Sequence, residues 1–144
     1  MTDETTFNVL FLCTGNSARS LIAEAVLNDR ARGRFQAFSA GSRPTGEAHP
    51  VAIEALDAAG YATAQLRSKS WDEFTADDAK ILDLVITLCD AAASEACPIW
   101  PGKPERRHWG LPDPAAVEGL DACREAFATT LAGVEQRIED FLKE

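Results

Sequence analysis

The residues of this chain best suited to chemistry are a cysteine and an arginine six positions apart, Cys13 and Arg19. The backbone N–H groups of a short loop, together with the start of the next helix, form a concave binding site for an anion. An arginine at the end of that loop can bind two oxygens of a tetrahedral anion. The pattern therefore predicts a nucleophilic thiol beside an oxyanion site lined by Thr14, Gly15, Asn16, Ser17, Ala18, Arg19 and Ser20.

The segment between Cys13 and Arg19 has the composition that a tight anion-binding loop needs. We expect Gly15 and Asn16 to tolerate a left-handed backbone conformation. The positive surroundings are expected to lower the pKa of the Cys13 thiol into the range of about 3.5–7.5 that activated thiols show. The chain has neither a Gly-Lys-Ser/Thr phosphate loop nor a GxGxxG fingerprint. The alternative is that Cys13 is only a small buried hydrophobic residue at the end of a strand.

Short apolar runs alternate with helical patterns along the chain, and this order positions the loop. Strands are predicted at residues 7–12, 35–40, 83–88 and 107–110, and helices at about residues 21–32, 49–60 and 118–142. Such alternation is typical of a four-stranded parallel sheet with helices on both faces, here as one α/β domain spanning residues 1–144. Ligands bind beyond the carboxyl ends of the strands in open sheets of this kind, which is where Cys13 lies.

Two further cysteines and an aspartate lie near the same predicted edge. Cys89 follows the third strand, and Cys97 comes eight positions later in a loop. A thiol–disulfide relay needs cysteines that come within bonding reach of one another in turn. Asp113 lies between Pro112 and Pro114, which restrict the backbone on both sides of its carboxylate. The residues alone leave an alternative open for each of them. Cys89 is then a buried thiol at the end of a strand, Cys97 an ordinary loop thiol, and Asp113 part of an ordinary turn.

Composition and charge exclude several classes of function. Asp and Glu number 23 against 14 Lys and Arg, and the net charge of −9 argues against nucleic acid or an anionic membrane as the partner. The acidic, polar start does not resemble a signal peptide, and we expect a cytoplasmic monomer with reduced thiols. No CxxC motif is present, and His49 and His108 fall in unrelated places, so neither a metal site nor a cofactor is expected.

Residues Val9 to Ser20 resemble the start of the low-molecular-weight protein tyrosine phosphatase superfamily, and most closely its arsenate reductase branch. The resemblance covers nearly the whole chain, and implies the open α/β sandwich of these phosphatases. It continues through the segments Ser39–Ser42, Arg67–Trp71, Thr87–Cys89, Cys97–Pro101 and His108–Pro114.

The resemblance implies a mechanism in which arsenate is reduced to arsenite. Cys13 attacks arsenate, for which phosphate and sulfate would compete, and Asp113 protonates the departing water. Cys89 then displaces arsenite from Cys13, and Cys97 moves the disulfide outward to thioredoxin or a similar thiol reductant. Glutaredoxin or a low-molecular-weight thiol is the alternative reductant.

Two alternative functions remain open. One is a phosphatase acting on phosphotyrosine or other phosphomonoesters, and the other is a non-catalytic oxyanion sensor. In this chain Ala115-Ala116 follow the Asp-Pro motif, where tyrosine phosphatases of the family carry aromatic residues.

The resemblance also marks a polar set behind the loop, formed by Asn16, Glu24 and Ser39. In some arsenate reductases a similar set helps to hold a potassium ion, with an acidic residue where this chain has Lys69. An ammonium group there would repel the ion and satisfy the nearby oxygens, so we expect no potassium site. Glu24 could instead be a solvated carboxylate favoured by the helix dipole. We expect packing roles for Cys123 and for Trp71, Trp100 and Trp109.

Overall fold

A parallel sheet of four strands organises the molecule. The computed structural model describes residues 7–31, 33–75, 81–88, 100, 104–112 and 114–144. The strands are Phe7–Leu12 (β1), Phe35–Ala40 (β2), Leu84–Thr87 (β3) and Glu105–His108 (β4), in the order β2-β1-β3-β4. The α-helices of the described residues are Arg19–Arg30 (α1), Pro50–Ala58 (α2) and Leu120–Leu142 (α3), and 3₁₀ helices span Trp71–Phe74 and Pro114–Ala116. The predicted α/β class is confirmed.

The register of the sheet brings the carboxyl ends of its strands to one edge. Leu12, the last residue of β1, pairs with Ala40 on one side and with Thr87 on the other. Thr87 in turn pairs with His108 at the end of β4. β1 is an unbroken apolar run at its carboxyl end because it is buried on both faces of the sheet. Cys13 therefore lies directly after an inner strand, at the carboxyl edge of the sheet.

The two faces of the sheet pack against different kinds of cover. Val9 and Phe11 of β1 point into the larger core, to which α1, α2 and α3 all contribute. Leu10 and Leu12 point the other way, into a smaller cluster. Among the described residues, this second face is covered by the 3₁₀ helix Trp71–Phe74 and by Trp100. Within the described ranges, the helical cover of this face is thus a 3₁₀ helix, whereas three α-helices pack on the other.

Element boundaries differ from the predicted ones by a few residues. α1 ends at Arg30 rather than near residue 32. β4 lies at 105–108 rather than 107–110, because Glu105 already pairs with Leu84 at the start of β3. α3 begins at Leu120 rather than near residue 118. Gly119 has a φ of 88°, which is incompatible with an α-helical backbone, so the helix cannot begin before it. No helix among the described residues is long and apolar enough to cross a membrane.

Candidate active site

The loop after β1 presents a buried thiol at the entrance to a helix. Cys13 is 5% exposed, and its backbone N–H donates to the carbonyl of Ala40 at 3.3 Å. α1 begins at Arg19, and its N-cap residue, Ala18, supplies no capping side chain within the described structure. The first backbone N–H groups of a helix have no partner inside the helix and carry a partial positive charge. An anion beside the thiol would therefore be attracted to this end of α1.

Residues 43–49, which we call the collar, satisfy the carbonyl groups of the loop. The backbone N–H groups of Arg43, Thr45 and His49 donate to the carbonyl oxygens of Thr14, Gly15 and Ser17. The three N···O distances are 3.0, 3.1 and 2.8 Å respectively. These bonds satisfy three carbonyl oxygens of the loop, whose partial negative charge would otherwise repel an anion. The collar was not predicted from the sequence, because a hydrogen bond between two backbone groups does not require a particular residue type.

Gly41 allows the chain after β2 to pass directly beneath the loop. A Cβ atom at this position would lie 2.5 Å from the carbonyl oxygen of Cys13 and even closer to that of Thr14. Both contacts are to backbone, which cannot move aside as a flexible side chain can. Gly41 also forms a parallel bridge with Ser70, so the close approach joins the loop to a second segment. The sequence feature that could have pointed to Gly41 is the Ser-Ala-Gly-Ser motif at residues 39–42, which is part of the family resemblance.

Asn16 is the residue of the loop that adopts the left-handed conformation, with a φ of 45°. Gly15, which was expected to tolerate this conformation as well, does not adopt it. Asn16 is completely buried, and its side chain explains why it carries the turn. Its amide Nδ2 donates to Ser20 Oγ at 2.8 Å, and its Oδ1 accepts from the backbone N–H of Lys69 at 2.8 Å. The loop is thereby tied to α1 and to a strand-like segment 53 residues away.

A buried ionic cluster formed by Glu24, Ser39 and Lys69 lies behind the loop. Ser39 Oγ donates to Glu24 Oε1 at 2.5 Å, and Lys69 Nζ donates to the Ser39 carbonyl at 2.9 Å and lies 3.8 Å from Glu24 Oε1. The ammonium group therefore does contact the nearby oxygens, as expected. Glu24 has only 12% of its side chain exposed, so the alternative of a solvated carboxylate is wrong.

Burial is the main influence on both ionisable groups of this cluster. It raises the pKa of Glu24 above its ordinary value, against the hydrogen bond from Ser39 and the charge of Lys69. It lowers the pKa of Lys69, against the charge of Glu24. Within the described part of the chain, no group of three His, Cys, Asp or Glu side chains is arranged to hold a metal ion.

Three of the predicted site residues, Cys89, Cys97 and Asp113, lie outside the described residues. Described residues next to Cys89 and near Asp113 in the chain are bonded to β1, to each other and to Arg19. Leu88 donates its N–H to the Leu12 carbonyl at 2.9 Å, and its own carbonyl accepts from Leu111 at 2.9 Å. Arg19 Nη1 donates to the carbonyl of Leu111, also at 2.9 Å.

The fourth cysteine, Cys123, lies on α3. It is 8% exposed, within the larger core, and its Sγ contacts the Pro114 carbonyl at 3.7 Å. Trp100 and Trp109 are buried as well, at 3% and 7% exposed. The expected packing roles of these residues are confirmed.

A family model for low molecular weight phosphotyrosine protein phosphatases matches residues 8–144. The chain belongs to this family. An arsenate reductase of Halalkalibacterium halodurans is 37% identical over 134 residues, which cover 92% of this chain and 93% of that protein. The resemblance found in the sequence is therefore confirmed, including its arsenate reductase branch.

Solved structures of family members share the architecture. An arsenate reductase in the phosphate-binding state superposes with a TM-score of 0.77 at 28% identity, covering 95% of this chain and 97% of that one. A thioredoxin-dependent arsenate reductase of Corynebacterium glutamicum superposes with a TM-score of 0.73 at 28% identity. This chain is covered to 98% in that comparison and spans 62% of the Corynebacterium protein.

Proposed function

We propose that this protein is an arsenate reductase that converts arsenate to arsenite through a covalent adduct on Cys13. The supporting observation is a buried thiol at the start of a loop in which three carbonyl groups are bonded to the collar. An arsenate ion placed there would meet N–H groups, the first turn of α1 and the guanidinium of Arg19. Phosphate and sulfate, which have the same tetrahedral shape, would compete for the site. The arsenate reductases among its relatives support the choice of substrate.

In the first step, the Cys13 thiolate attacks arsenic and forms an S–As bond. One arsenate oxygen leaves as water after it receives a proton, for which we assign Asp113 as the donor. Backbone N–H groups that are already oriented stabilise the charge on the remaining oxygens without reorganising. The hydrogen bond from Arg19 to Leu111 supports this assignment because it ties the loop to the segment that leads to Asp113.

In the second step, Cys89 attacks the sulfur of Cys13 and forms a disulfide. The electron pair of the S–As bond passes to arsenic, which is reduced from As(V) to As(III) and leaves as arsenite. The N–H···O bond between Leu88 and Leu12 supports this step. Each of these leucines precedes one of the two cysteines in the chain, so their pairing favours a short distance between the thiols.

In the third step, Cys97 attacks Cys89, and Cys13 leaves as a thiolate. The Cys89–Cys97 disulfide is then reduced by two electrons from thioredoxin or a similar dithiol. The cycle requires reduced cysteines at its start, which fits a cytoplasmic location.

The test is arsenite production by purified protein supplied with one reductant at a time. Cys13→Ser should abolish turnover, and Arg19→Ala should reduce kcat/KM by about 100-fold or more, since a charged clamp on the transition state is lost. The matched control is Cys123→Ser, which removes a buried core thiol to which the mechanism gives no role and should turn over normally. Substantial activity in Cys13→Ser would refute the proposal.

A second measurement separates reduction from phosphate-ester hydrolysis, which the family name makes the main alternative. Cys89→Ser should retain slow cleavage of an activated aryl phosphate but lose multiple-turnover arsenate reduction, because hydrolysis needs no second thiol. Parallel loss of both activities in a folded variant would show that Cys89 does not resolve the adduct.

A further inference from the structure

His49 lies where the collar meets α2, and it contacts the loop that begins at Cys13. Its backbone N–H donates to the Ser17 carbonyl at 2.8 Å, the shortest of the three bonds described above between the collar and the loop. Ser17 comes two residues before Arg19, with which α1 begins. The contact made by His49 therefore lies close to the junction between the loop and this helix.

Two further contacts hold the imidazole ring of His49. Its Nδ1 accepts from the backbone N–H of Val51 at 3.1 Å, which makes His49 the N-cap of α2. Its ring packs on Phe127 of α3, with the ring centroids 4.8 Å apart and the planes inclined by 34°. Phe127 is completely buried in the larger core. The side chain of His49 is thus attached to the core, whereas the side chain of Arg43 at the other end of the collar is exposed.

The bond from His49 fixes the direction of a hydrogen-bond donor in the loop. The carbonyl of Ser17 and the N–H of Ala18 belong to one peptide unit, which is planar and trans. The C=O and N–H bonds of a trans unit point in opposite directions. Because the carbonyl points to His49, the N–H of Ala18 points away from the collar. A shift of the His49 backbone would therefore turn this N–H as well.

We propose that His49 is a positioning residue for oxyanion binding, which acts through the peptide unit of Ser17 and Ala18. This inference rests on the proposed function, in which N–H groups of the loop bind the anion. The N-cap bond and the contact with Phe127 orient the backbone of His49, and its N–H orients the peptide unit. A donor that is already oriented binds an anion without a cost of reorganisation. Loss of the imidazole should thus weaken anion binding, although any residue at this position other than proline keeps the backbone N–H.

The experiment measures the dissociation constant of inorganic phosphate by calorimetry, with the reduced protein in an amine buffer free of phosphate. His49→Ala should raise this constant about tenfold, as expected when one hydrogen bond to a charged group is weakened. His49→Asn supplies a side-chain oxygen that can accept from the Val51 N–H, and it should restore most of the affinity. His49→Phe keeps a ring against Phe127 but has no acceptor, and it should bind phosphate more weakly than the Asn variant.

A matched control separates positioning from the stability of α2. Leu56 lies seven residues after His49, is completely buried and belongs to the larger core. Leu56→Val removes one buried methylene group, so it should lower the melting temperature and leave the dissociation constant of phosphate unchanged. Should His49→Ala fail to fold, Phe127→Leu removes the ring that packs on the imidazole and should raise the dissociation constant by a smaller factor.

The outcomes distinguish this inference from the proposed function. An unchanged dissociation constant in folded His49→Ala, or an equal rise in Leu56→Val, would overturn the positioning role alone. A wild-type protein that binds phosphate, and binds it less tightly after His49→Ala, but reduces no arsenate would overturn the proposed function alone. A wild-type protein that binds no phosphate would overturn both, since both place an oxyanion in this loop.

Discussion

The loop that begins at Cys13 is held from two sides by different parts of the chain. On one side, the collar donates backbone N–H groups to the carbonyls of Thr14, Gly15 and Ser17. On the other side, the side chain of Asn16 accepts from the backbone N–H of Lys69, whose ammonium group belongs to the buried cluster with Glu24 and Ser39. Any non-proline residue can supply a backbone N–H, whereas the cluster depends on the identity of each residue. The two sides should therefore differ sharply in their response to substitution.

The largest effect is expected at Lys69. Lys69→Met removes the ammonium group from beside a buried carboxylate, and breaking such a pair typically destabilises a protein by about 3–5 kcal/mol. Chemical denaturation would measure the loss in the free energy of unfolding. The control is the double variant with Glu24→Gln, which removes the unpaired charge and should recover part of the loss. No recovery would mean that the carboxylate is not the source of the destabilisation.

Gly41→Ala should come next, because it inserts a methyl group against two backbone carbonyl oxygens. Overpacking of this kind usually destabilises by about 1–3 kcal/mol, and displacement of the Cys13 backbone should also reduce activity. The matched control is Gly133→Ala in α3, where nothing lies within 4 Å of the added atom. That variant should be slightly more stable than the wild type, by about 0.5–1 kcal/mol. A melting temperature for Gly41→Ala equal to the wild-type value would contradict the close approach.

A smaller, pH-dependent effect is expected from Glu24. Because burial raises its pKa above 4.5 in the folded protein, the unfolded chain loses this proton first as the pH rises. The free energy of unfolding, relative to Glu24→Gln, should therefore fall from about pH 4.5 up to the raised pKa and then level off. The slope cannot exceed about 1.4 kcal/mol per pH unit for one proton. Denaturation of both proteins from acidic to neutral pH would measure it, and an opposite slope would refute the assignment.

The smallest effect is expected in the collar. Arg43 is exposed, and its contact with the loop is made by its backbone N–H, which Arg43→Ala retains. The free energy of unfolding should change by no more than about 0.5 kcal/mol, as is usual at the surface. A loss above about 1 kcal/mol would show that the side chain supports the loop, and the contrast between the two sides would then fail.

The same contrast explains what sequence reasoning could and could not find. Short apolar runs located β1, β2 and β3, and apolar residues at helical spacing located α2, because burial on a sheet or against a core repeats along the chain. The role of Asn16 as a left-handed residue was predicted from its type, but its bond to the Lys69 backbone was not. That bond joins residues 53 positions apart, and no local pattern encodes such a distance. The network of Tyr61, Arg30 and Glu135, which links the end of α1 to α3, escaped prediction for the same reason.

The uncapped start of α1 has a thermodynamic consequence. Ala18 has no side-chain oxygen with which to bind the first N–H groups of the helix, so an oxyanion held there would serve as the cap. A ligand that binds only the folded state adds RT ln(1 + [L]/Kd) to the free energy of unfolding, or about 2.7 kcal/mol at one hundred times its dissociation constant. The melting temperature in phosphate buffer would then exceed that in an amine buffer of equal ionic strength. The choice of buffer would set the apparent stability of this enzyme.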